Sequence, residues 1–275
     1  MVGHVEWIDF ASVDHVPASG EIVHATRTWE EVGGGGAVAA VQLVKLAGEC
    51  LFLTALGDDA LGRRALDALR GMGVEVQAAS RGRQRRGLTF VEPSGERTIT
   101  TLGDKLRPAR ADPLPWERLG ECDAVYFVAA DAGALKASRA APVVVAAARD
   151  LATLVDAQVE LDAVVGSGSD HAERYPPGAI DPPPRLVVAT GGSAGGQYFG
   201  VEGRTGSWEA AKLNGPVGDA YGCGDSFAAG LTFALGEGRP VDDALAFAAG
   251  CGAACLTGHG PYEGQLATTD ESRLL

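Results

Sequence analysis

The sequence has no hydrophobic run long enough to span a membrane, and its N-terminus lacks the basic and apolar regions of a secretory leader. It is also short of positive charge: 23 lysines and arginines face 36 aspartates and glutamates, which leaves a formal net charge of -13. Such a chain lacks the basic face that nucleic acids and anionic membranes require. We therefore predict a cytoplasmic protein that binds neither nucleic acid nor membranes.

Paired cysteines are lacking as well. The five cysteines, at positions 50, 122, 223, 251 and 255, form no CxxC pair and have no histidine at the spacing of a zinc site, so we predict reduced thiols. The GxGxxG signature of dinucleotide-binding folds and the GxxxxGK[ST] phosphate loop are both absent. These absences remove the two commonest nucleotide-binding folds from the leading hypotheses.

What the sequence does contain is a regular alternation of apolar strands and amphipathic helices, which is typical of a parallel sheet with helices on its faces. With 275 residues, 46% of them hydrophobic, the chain can form one large α/β domain. Strands are predicted over 2–10, 51–56, 74–77, 124–129, 143–147, 163–165 and 185–190, and helices over 60–72 and 241–256.

One segment departs from this alternation. Residues 81–110 are rich in arginine and contain two β-like runs, 87–92 and 96–101, joined by Pro93-Ser94-Gly95. This pattern predicts a hairpin outside the main sheet. We expect most of its basic side chains to be solvated, with one or two, Arg97 or Arg86, facing a substrate phosphate.

Glycine clusters mark two candidate ligand sites. Four glycines, Gly33 to Gly36, open an alanine-rich helix, which indicates that a ligand or another backbone approaches closely. Further on, Gly222 and Gly224 flank Cys223 directly before Asp225, where a helical pattern begins. The free amides of a helix start bind phosphate oxygens. For Asp225 two interpretations stay open, a helix cap and a base that accepts a proton from an attacking hydroxyl.

Two further motifs carry polar groups at the ends of predicted elements. Asp170 and Glu173 are three residues apart, which places both carboxylates on one side of a helical turn, suited to hydrated magnesium or to capping. The glycine turn that begins at Thr190 follows a buried strand, at the end where open α/β sheets bind ligands.

In this order the motifs resemble the PfkB, or ribokinase-like, family of carbohydrate kinases over roughly residues 2 to 262. The family's DTxGAGD signature is matched by DAYGCGD from Asp219 to Asp225, and its glycine signature by the segment from Gly33 to Val38. Its NxxE magnesium motif is matched by residues 170–173, and its TxGxxG nucleotide loop by residues 190–195.

The resemblance implies a three-layer α/β/α fold with a mainly parallel central sheet, and ATP-dependent phosphorylation of a hydroxymethyl group on a sugar or sugar-like polyol. Asp225 would be the general base and the amides of Gly222, Cys223, Gly224 and Asp225 the anion hole. Three further groups of residues are implied: Thr190, Gly192, Gly195, Gly222, Gly224 and Ala253 for the nucleotide; Asp170, Glu173 and Asp219 for metal; and Glu6, Asp9, Gly33, Gly34, Gly35, Val38 and Arg97 for the acceptor.

The resemblance also implies ATP and Mg²⁺ as cofactors and a monovalent-cation site for K⁺, where Asp219 remains but Ala220 and Tyr221 replace the usual threonines. Residues 1–262 would form one kinase domain in which 9–32 and 81–105 build a β-lid that also forms a homodimer contact, followed by a frayed tail over 263–275.

Departures from the family pattern lie on the acceptor side. Val38 stands where the family often has asparagine, and Glu6-Trp7-Ile8, with Asp9 one place later, stands where ribokinases have Asn-Ala-Asp. We therefore do not predict ribose as the acceptor. A nucleoside kinase, a phosphosugar kinase and a catalytically silent ligand-binding regulator remain as alternatives.

Overall fold

The computed structural model describes residues 1–200 and 203–268. The helices of this part are α1 (Gly35–Ala47), α2 (Ala60–Gly71), α3 (Ala132–Ser138), α4 (Leu151–Ala157), α5 (Cys223–Gly236) and α6 (Val241–Leu256). The strands are β1 (Glu6–Ser12), β2 (Arg27–Gly33), β3 (Leu51–Leu56), β4 (Glu75–Ser80), β5 (Arg86–Val91), β6 (Arg97–Leu102), β7 (Ala124–Phe127), β8 (Val143–Ala147), β9 (Ala163–Ser167), β10 (Leu186–Thr190), β11 (Gly196–Gly200) and β12 (Thr205–Trp208). No helix in these ranges is both long and apolar enough to cross a membrane.

The central sheet is mainly parallel. Strands β7, β8, β9 and β10 pair in parallel, and β11 and β12 extend this sheet antiparallel at one end. The parallel pair β3 and β4 lies on the other side of Val2, which bridges Leu53 of β3 and Phe127 of β7. The predicted parallel sheet is therefore confirmed.

Helices cover both faces of this sheet. Alternate strand residues enter two different cores: Tyr126 and Val145 pack with α1, α5 and α6, whereas Val125 and Val144 pack with α3 and α4. Because both faces are buried, the strands are continuous apolar runs rather than alternating ones. The three-layer α/β/α architecture is confirmed.

A separate four-stranded sheet, which we call the small sheet, has the order β2-β1-β5-β6. Its β5 and β6 are the hairpin predicted from the arginine-rich segment. The strand predicted over 2–10 is wrong as a single unit, because Val2 bridges the central sheet whereas Glu6–Ser12 pairs with β2 and β5. The chain changes sheets between these points.

The residues that follow Glu263 differ from the predicted frayed tail as far as Thr268. Gln265 and Leu266 are 6% and 5% exposed. The side-chain amide of Gln265 donates to the carbonyl of Val38 at 3.0 Å and to the hydroxyl of Ser226 at 3.2 Å, so it joins α1 to α5. Positions 269–275 of the predicted tail lie outside the described residues.

Candidate active site

A cavity of about 660 Å³ lies at the carboxyl ends of the parallel strands, next to the small sheet. Ala147, Ser167 and Thr190, the last residues of β8, β9 and β10, line it. This is the edge where open α/β sheets bind ligands. The cavity also brings together many of the residues predicted from the sequence motifs: Glu6, Gly34, Gly35, Arg97, Asp170, Glu173, Thr190, Gly222, Gly224 and Asp225.

The N-terminus of α5 forms one wall. Its N-cap is Gly222, with φ 85°, and no side chain caps the helix. Ser226 N donates to the Gly222 carbonyl at 2.8 Å, but the amides of Gly224 and Asp225 have no acceptor among the described residues. Helix N-termini with free amides attract anions. The capping interpretation of Asp225 is therefore wrong, because the carboxylate lies inside the first turn and faces the cavity.

Asp225 lies in a place with little water and negative neighbours. Removal from water is the main reason that its pKa rises to about 7, and the negative charge of Glu173 raises it further, while Arg97 and Arg149 act in the opposite direction. A Cβ atom at Gly35 would meet the Asp225 carboxylate at 2.6 Å. The glycine at the start of α1 therefore leaves room for this side chain.

The other glycines of this run allow backbone contacts. A Cβ at Gly36 would meet the His4 carbonyl at 2.5 Å, and one at Gly34, whose φ is 85°, would meet the Glu6 amide at 3.0 Å. Gly34 N also donates to the Tyr221 hydroxyl at 3.0 Å. Gly33 does not line the cavity; a Cβ there would meet Ile8 and Tyr221. Both roles predicted for the glycines from Gly33 to Gly36 therefore occur: some line the cavity, and some allow another part of the backbone to approach closely.

Asp9 does not join the cavity. It lies three residues after Glu6 on β1, and strand residues an odd number apart point to opposite faces. Glu6 faces the cavity. Asp9 lies outside it and accepts a hydrogen bond of 2.7 Å from Arg86. The position of Asp9 thus does not support its predicted contact with the acceptor. Arg86, which was predicted as one of two arginines that could face a substrate phosphate, also lies outside the cavity.

Val38 also lies outside the cavity, fully buried against Ile8, Phe10 and Tyr221. This apolar contact holds the start of α1 against β1.

The side chains that sequence reasoning did not select and that line the cavity include His4, Arg85, Lys105 and Arg149. Arg149 follows the end of β8 by two residues, a place where polar residues reach the ligand edge of such a sheet. That position was a usable signal. Arg85 and Lys105 were part of the arginine-rich segment, but nothing in the local pattern distinguished them from solvated neighbours.

Arg149 binds the two acids of the predicted metal motif. Its guanidinium lies 2.6 Å from Asp170 Oδ2 and 2.7 Å from Glu173 Oε1. Asp170 also caps a short 3₁₀ helix (His171–Glu173), since its Oδ1 accepts from Ala172 N at 2.9 Å. No group of three or more histidine, cysteine or acidic side chains in the described ranges can hold a metal by itself. The carboxylates nevertheless offer the oxygen donors that Mg²⁺ prefers.

Asp219, the third predicted metal ligand, is buried behind this wall and does not line the cavity. Its carboxylate accepts from Tyr221 N at 2.8 Å and from Gly260 N at 2.6 Å, so it connects two loops.

The predicted nucleotide residues are more spread out. Thr190 lines the cavity, whereas Gly192, which is exposed, and Gly195, which is buried, belong to the turn beyond it, with φ 58° and 78°. Ala253 is partly buried on α6, outside the cavity lining. A hydrogen bond with Cys255 and burial raise the pKa of the Cys223 thiol, which keeps it protonated and agrees with its interpretation as a small turn residue.

Comparison with known proteins agrees with this geometry. The model of the family described as "pfkB family carbohydrate kinase" matches residues 1–154 and 134–268. The chain belongs to the pfkB family of carbohydrate kinases. Members of this family are phosphotransferases, so the chain is a kinase of this type.

The relatives that resemble the chain include kinases of different sugars. It is 28% identical over 286 residues to an ATP-dependent ribose-1-phosphate kinase of Halopiger xanaduensis, covering 91% of this chain and 89% of the relative. The fold is similar to that of a microbiome-derived acarbose kinase (TM-score 0.82, 22% identity, 99% and 97% coverage). It is also similar to that of Cryptococcus neoformans ribokinase in complex with ADP (TM-score 0.77, 19% identity, 99% and 98% coverage).

Proposed function

We propose that this pfkB-family protein transfers the γ-phosphoryl group of ATP to a hydroxymethyl group of a sugar or sugar-like polyol. The observation that carries the proposal is the first turn of α5, where two free amides and the Asp225 carboxylate face one cavity. Phosphoryl transfer needs a group that accepts the proton of the acceptor hydroxyl and donors that stabilise the transferring oxygens. This turn supplies both.

In this proposal Asp225 orients the acceptor hydroxyl and takes its proton as the new O–P bond forms. The amides of Gly224 and Asp225 hold the oxygens of the transferring group, and they are already positioned before substrate binds. Gly224 allows close approach of a ligand, since a Cβ there would project into open space. Thr190 and the glycine turn after it would bind the nucleotide.

Asp170 and Glu173 would hold hydrated Mg²⁺, which neutralises phosphate charge when bound. Their partner Arg149 lies in the same cavity and would contact phosphate oxygens. The K⁺ site remains a proposal based on the signature alone, because both oxygens of Asp219 already accept backbone hydrogen bonds.

On the acceptor side, Glu6 and Arg97 line the cavity and would bind hydroxyl groups. The relative named as a ribose-1-phosphate kinase supports a sugar acceptor. Ile8 stands where ribokinases have the aspartate of Asn-Ala-Asp, and its side chain is apolar and fully buried. At this position the chain therefore has no carboxylate to bind a sugar diol.

The small sheet would act as a lid that excludes water from the phosphoryl group. We also propose a homodimer contact through its edge strand β6, whose six residues are all exposed, including Ile99 and Leu102 at 41% and 45%. Unpaired strand edges readily pair with a second chain. A cytoplasmic location remains part of this proposal and rests on composition.

An ADP-release assay over free sugars, sugar phosphates, sugar acids and nucleosides tests the function. Asp225→Asn keeps the shape but cannot accept the proton, so we expect turnover to fall by roughly 10² to 10⁴ with ATP binding retained. Asp67→Asn changes an exposed residue of α2 and is the matched control, whose turnover should equal that of wild type. Wild-type turnover in Asp225→Asn, or no acceptor-dependent ADP release with any compound, would contradict the proposal.

A further inference from the structure

Four basic side chains line the cavity of a chain whose formal net charge is -13: Arg85, Arg97, Lys105 and Arg149. Arg149 is neutralised, because it pairs with Asp170 and Glu173 within 2.7 Å. The remaining three lie on the small sheet or the segments that adjoin it. Their partners decide what the acceptor side of the cavity can bind.

Arg85 has only part of its hydrogen-bonding capacity used. Its Nε lies 3.2 Å from Glu6 Oε1, but this buried N–H makes no hydrogen bond of acceptable geometry. The side chain is only 14% exposed. A guanidinium has five N–H donors in a planar fork that suits phosphate and carboxylate oxygens. The Glu6 carboxylate balances the charge of Arg85, but no hydrogen bond from the two terminal nitrogens is found within the described ranges, so these donors are available to a ligand in the cavity.

Lys105 has no carboxylate or carbonyl acceptor within hydrogen-bonding distance among residues 1–200 and 203–268. It is half-buried, and burial lowers its pKa, with the positive charge of Arg85 the next cause. The ammonium group thus lies near other cations, chiefly Arg85, while the negative charge of Glu6 opposes their effect in part. Such crowding of like charges costs free energy that a bound anion would remove.

His4 completes this group. It is 7% exposed, and its Nδ1 has no hydrogen-bond partner in the described structure. Burial lowers the pKa of His4 well below its usual value, and Lys105 and Arg85 lower it further, so the ring is neutral. A buried polar atom without a partner is costly and usually indicates a ligand or water.

We propose that Arg85, Lys105 and His4 bind an anionic group on the acceptor, either a phosphate monoester or a carboxylate. The inference rests on the proposed kinase function and specifies the acceptor class. Arg85 and His4 both lie beside Glu6, at 3.2 Å and 3.8 Å, and Glu6 is one of the residues proposed to bind the acceptor. The anionic group would therefore lie on the acceptor side, with the free hydroxymethyl group directed to Asp225.

Arg97 is not included in this group. Its positive charge acts on Asp225, Asp219 and Cys223, so it lies near the proposed base, where it would bind an acceptor hydroxyl group.

The test compares D-fructose, D-fructose 6-phosphate and D-gluconate, each of which has a free hydroxymethyl group, in wild type and in Lys105→Gln. We expect one anionic compound to be the better substrate in wild type, and the phosphate and carboxylate arms identify which anion is bound. Lys105→Gln should raise the KM for that compound roughly tenfold to a hundredfold, because one charge-assisted hydrogen bond is lost. Both kcat and the KM for ATP should stay nearly unchanged. Arg86→Gln, whose parent side chain pairs with Asp9 outside the cavity, is the matched control and should leave all values as in wild type.

Isothermal titration without ATP separates this inference from the proposed function. If no compound is phosphorylated but an anionic sugar binds wild type and loses affinity in Lys105→Gln, the kinase proposal fails and the anion site stands. Three results would overturn the anion site: fructose preferred over both anions, no binding of either anion, or a Lys105→Gln effect confined to ATP.

Discussion

At the scale of single residues, the environment of Asp225 decides how the site titrates. A general base is effective only in its ionised form, and this carboxyl group has a pKa of about 7 in the free protein because of burial and the charge of Glu173. Its working range therefore coincides with neutral pH. Arg149, which pairs with Glu173, acts in the opposite direction and lowers the pKa of Asp225.

This environment predicts the pH dependence of the reaction. Below a pH of about 7 Asp225 is protonated and cannot accept the hydroxyl proton, so kcat/KM should fall as the pH is lowered through that value. Glu173→Gln removes a charge that raises the pKa of Asp225, so the acidic limb should move to lower pH even if the rate also falls. The measurement is a kcat/KM profile from pH 5 to 9, on the order of one point per half unit.

A limb in the same position in Glu173→Gln would show that another group controls the profile. Asp67→Asn serves again as the control and should keep the wild-type limb.

At the scale of elements, the contact that shapes the site joins the start of α1 to residues 3–4, where the chain passes from the central sheet to the small sheet. Gly36 lies against the backbone of His4, and Gly3 lies against Gly36, so the start of α1 touches the segment before β1 without side chains between them. This close approach puts Gly35 next to Asp225 and Gly34 next to Glu6. The same packing therefore sets the distance between the proposed base and the acceptor residues.

Two glycine substitutions in helices separate packing from helix propensity. Gly36→Ala would place a Cβ 2.5 Å from the His4 carbonyl, so we expect a loss of roughly 1 to 3 kcal/mol in the free energy of unfolding and reduced activity. Gly71→Ala, at the end of α2, meets nothing within 4 Å and should be neutral or stabilising by up to about 1 kcal/mol. Urea unfolding measures both, and equal effects of the two changes would contradict the packing explanation.

At the scale of the whole molecule, the small sheet is fastened to the main body through β2. Tyr262 donates its hydroxyl proton to the Val32 carbonyl at 2.7 Å. The neighbouring Glu31 contacts the loop at Gly260, and its Oε2 is buried without a hydrogen-bond partner in the described residues. Burial, followed by the negative charges of Asp219 and Glu263, raises the pKa of Glu31 to about 7.

Stability should therefore fall as the pH rises. Glu31 has a higher pKa in the folded chain than in the unfolded chain, so the folded state binds more protons between the two values, and stability is lost as the pH rises from about 4.5 to about 7. Glu31→Gln should be more stable than wild type at pH 8, by at most about 3 kcal/mol and less where water reaches the group, and equal to it at pH 4. Urea unfolding at both pH values measures this, and Glu49→Gln, an exposed position, is the control. An equal difference at pH 4 and pH 8 would contradict it.

The sequence alone determined the elements whose pattern is local. The strands over 51–56 and 143–147 and the helix over 241–256 have the predicted bounds, because a strand covered on both faces must be apolar throughout and a helix end depends on residues within one turn of it. The order of the glycine and acidic motifs was sufficient for the family, which the family match confirms. The helix predicted from Asp225 onward begins two residues earlier, at Cys223, with Gly222 as its N-cap.

Only the tertiary structure decided which side chains share the cavity and with what charge. Asp9 and Arg86 pair away from it while Glu6 and Arg85 face it, since the sheet in which β1 pairs sets which face is buried. The pKa of Asp225 is raised mainly by burial and then by Glu173, which belongs to the short 3₁₀ helix after β9. Such environments arise from groups that are distant in sequence and meet within a few ångströms, and no local pattern of residues encodes those distances.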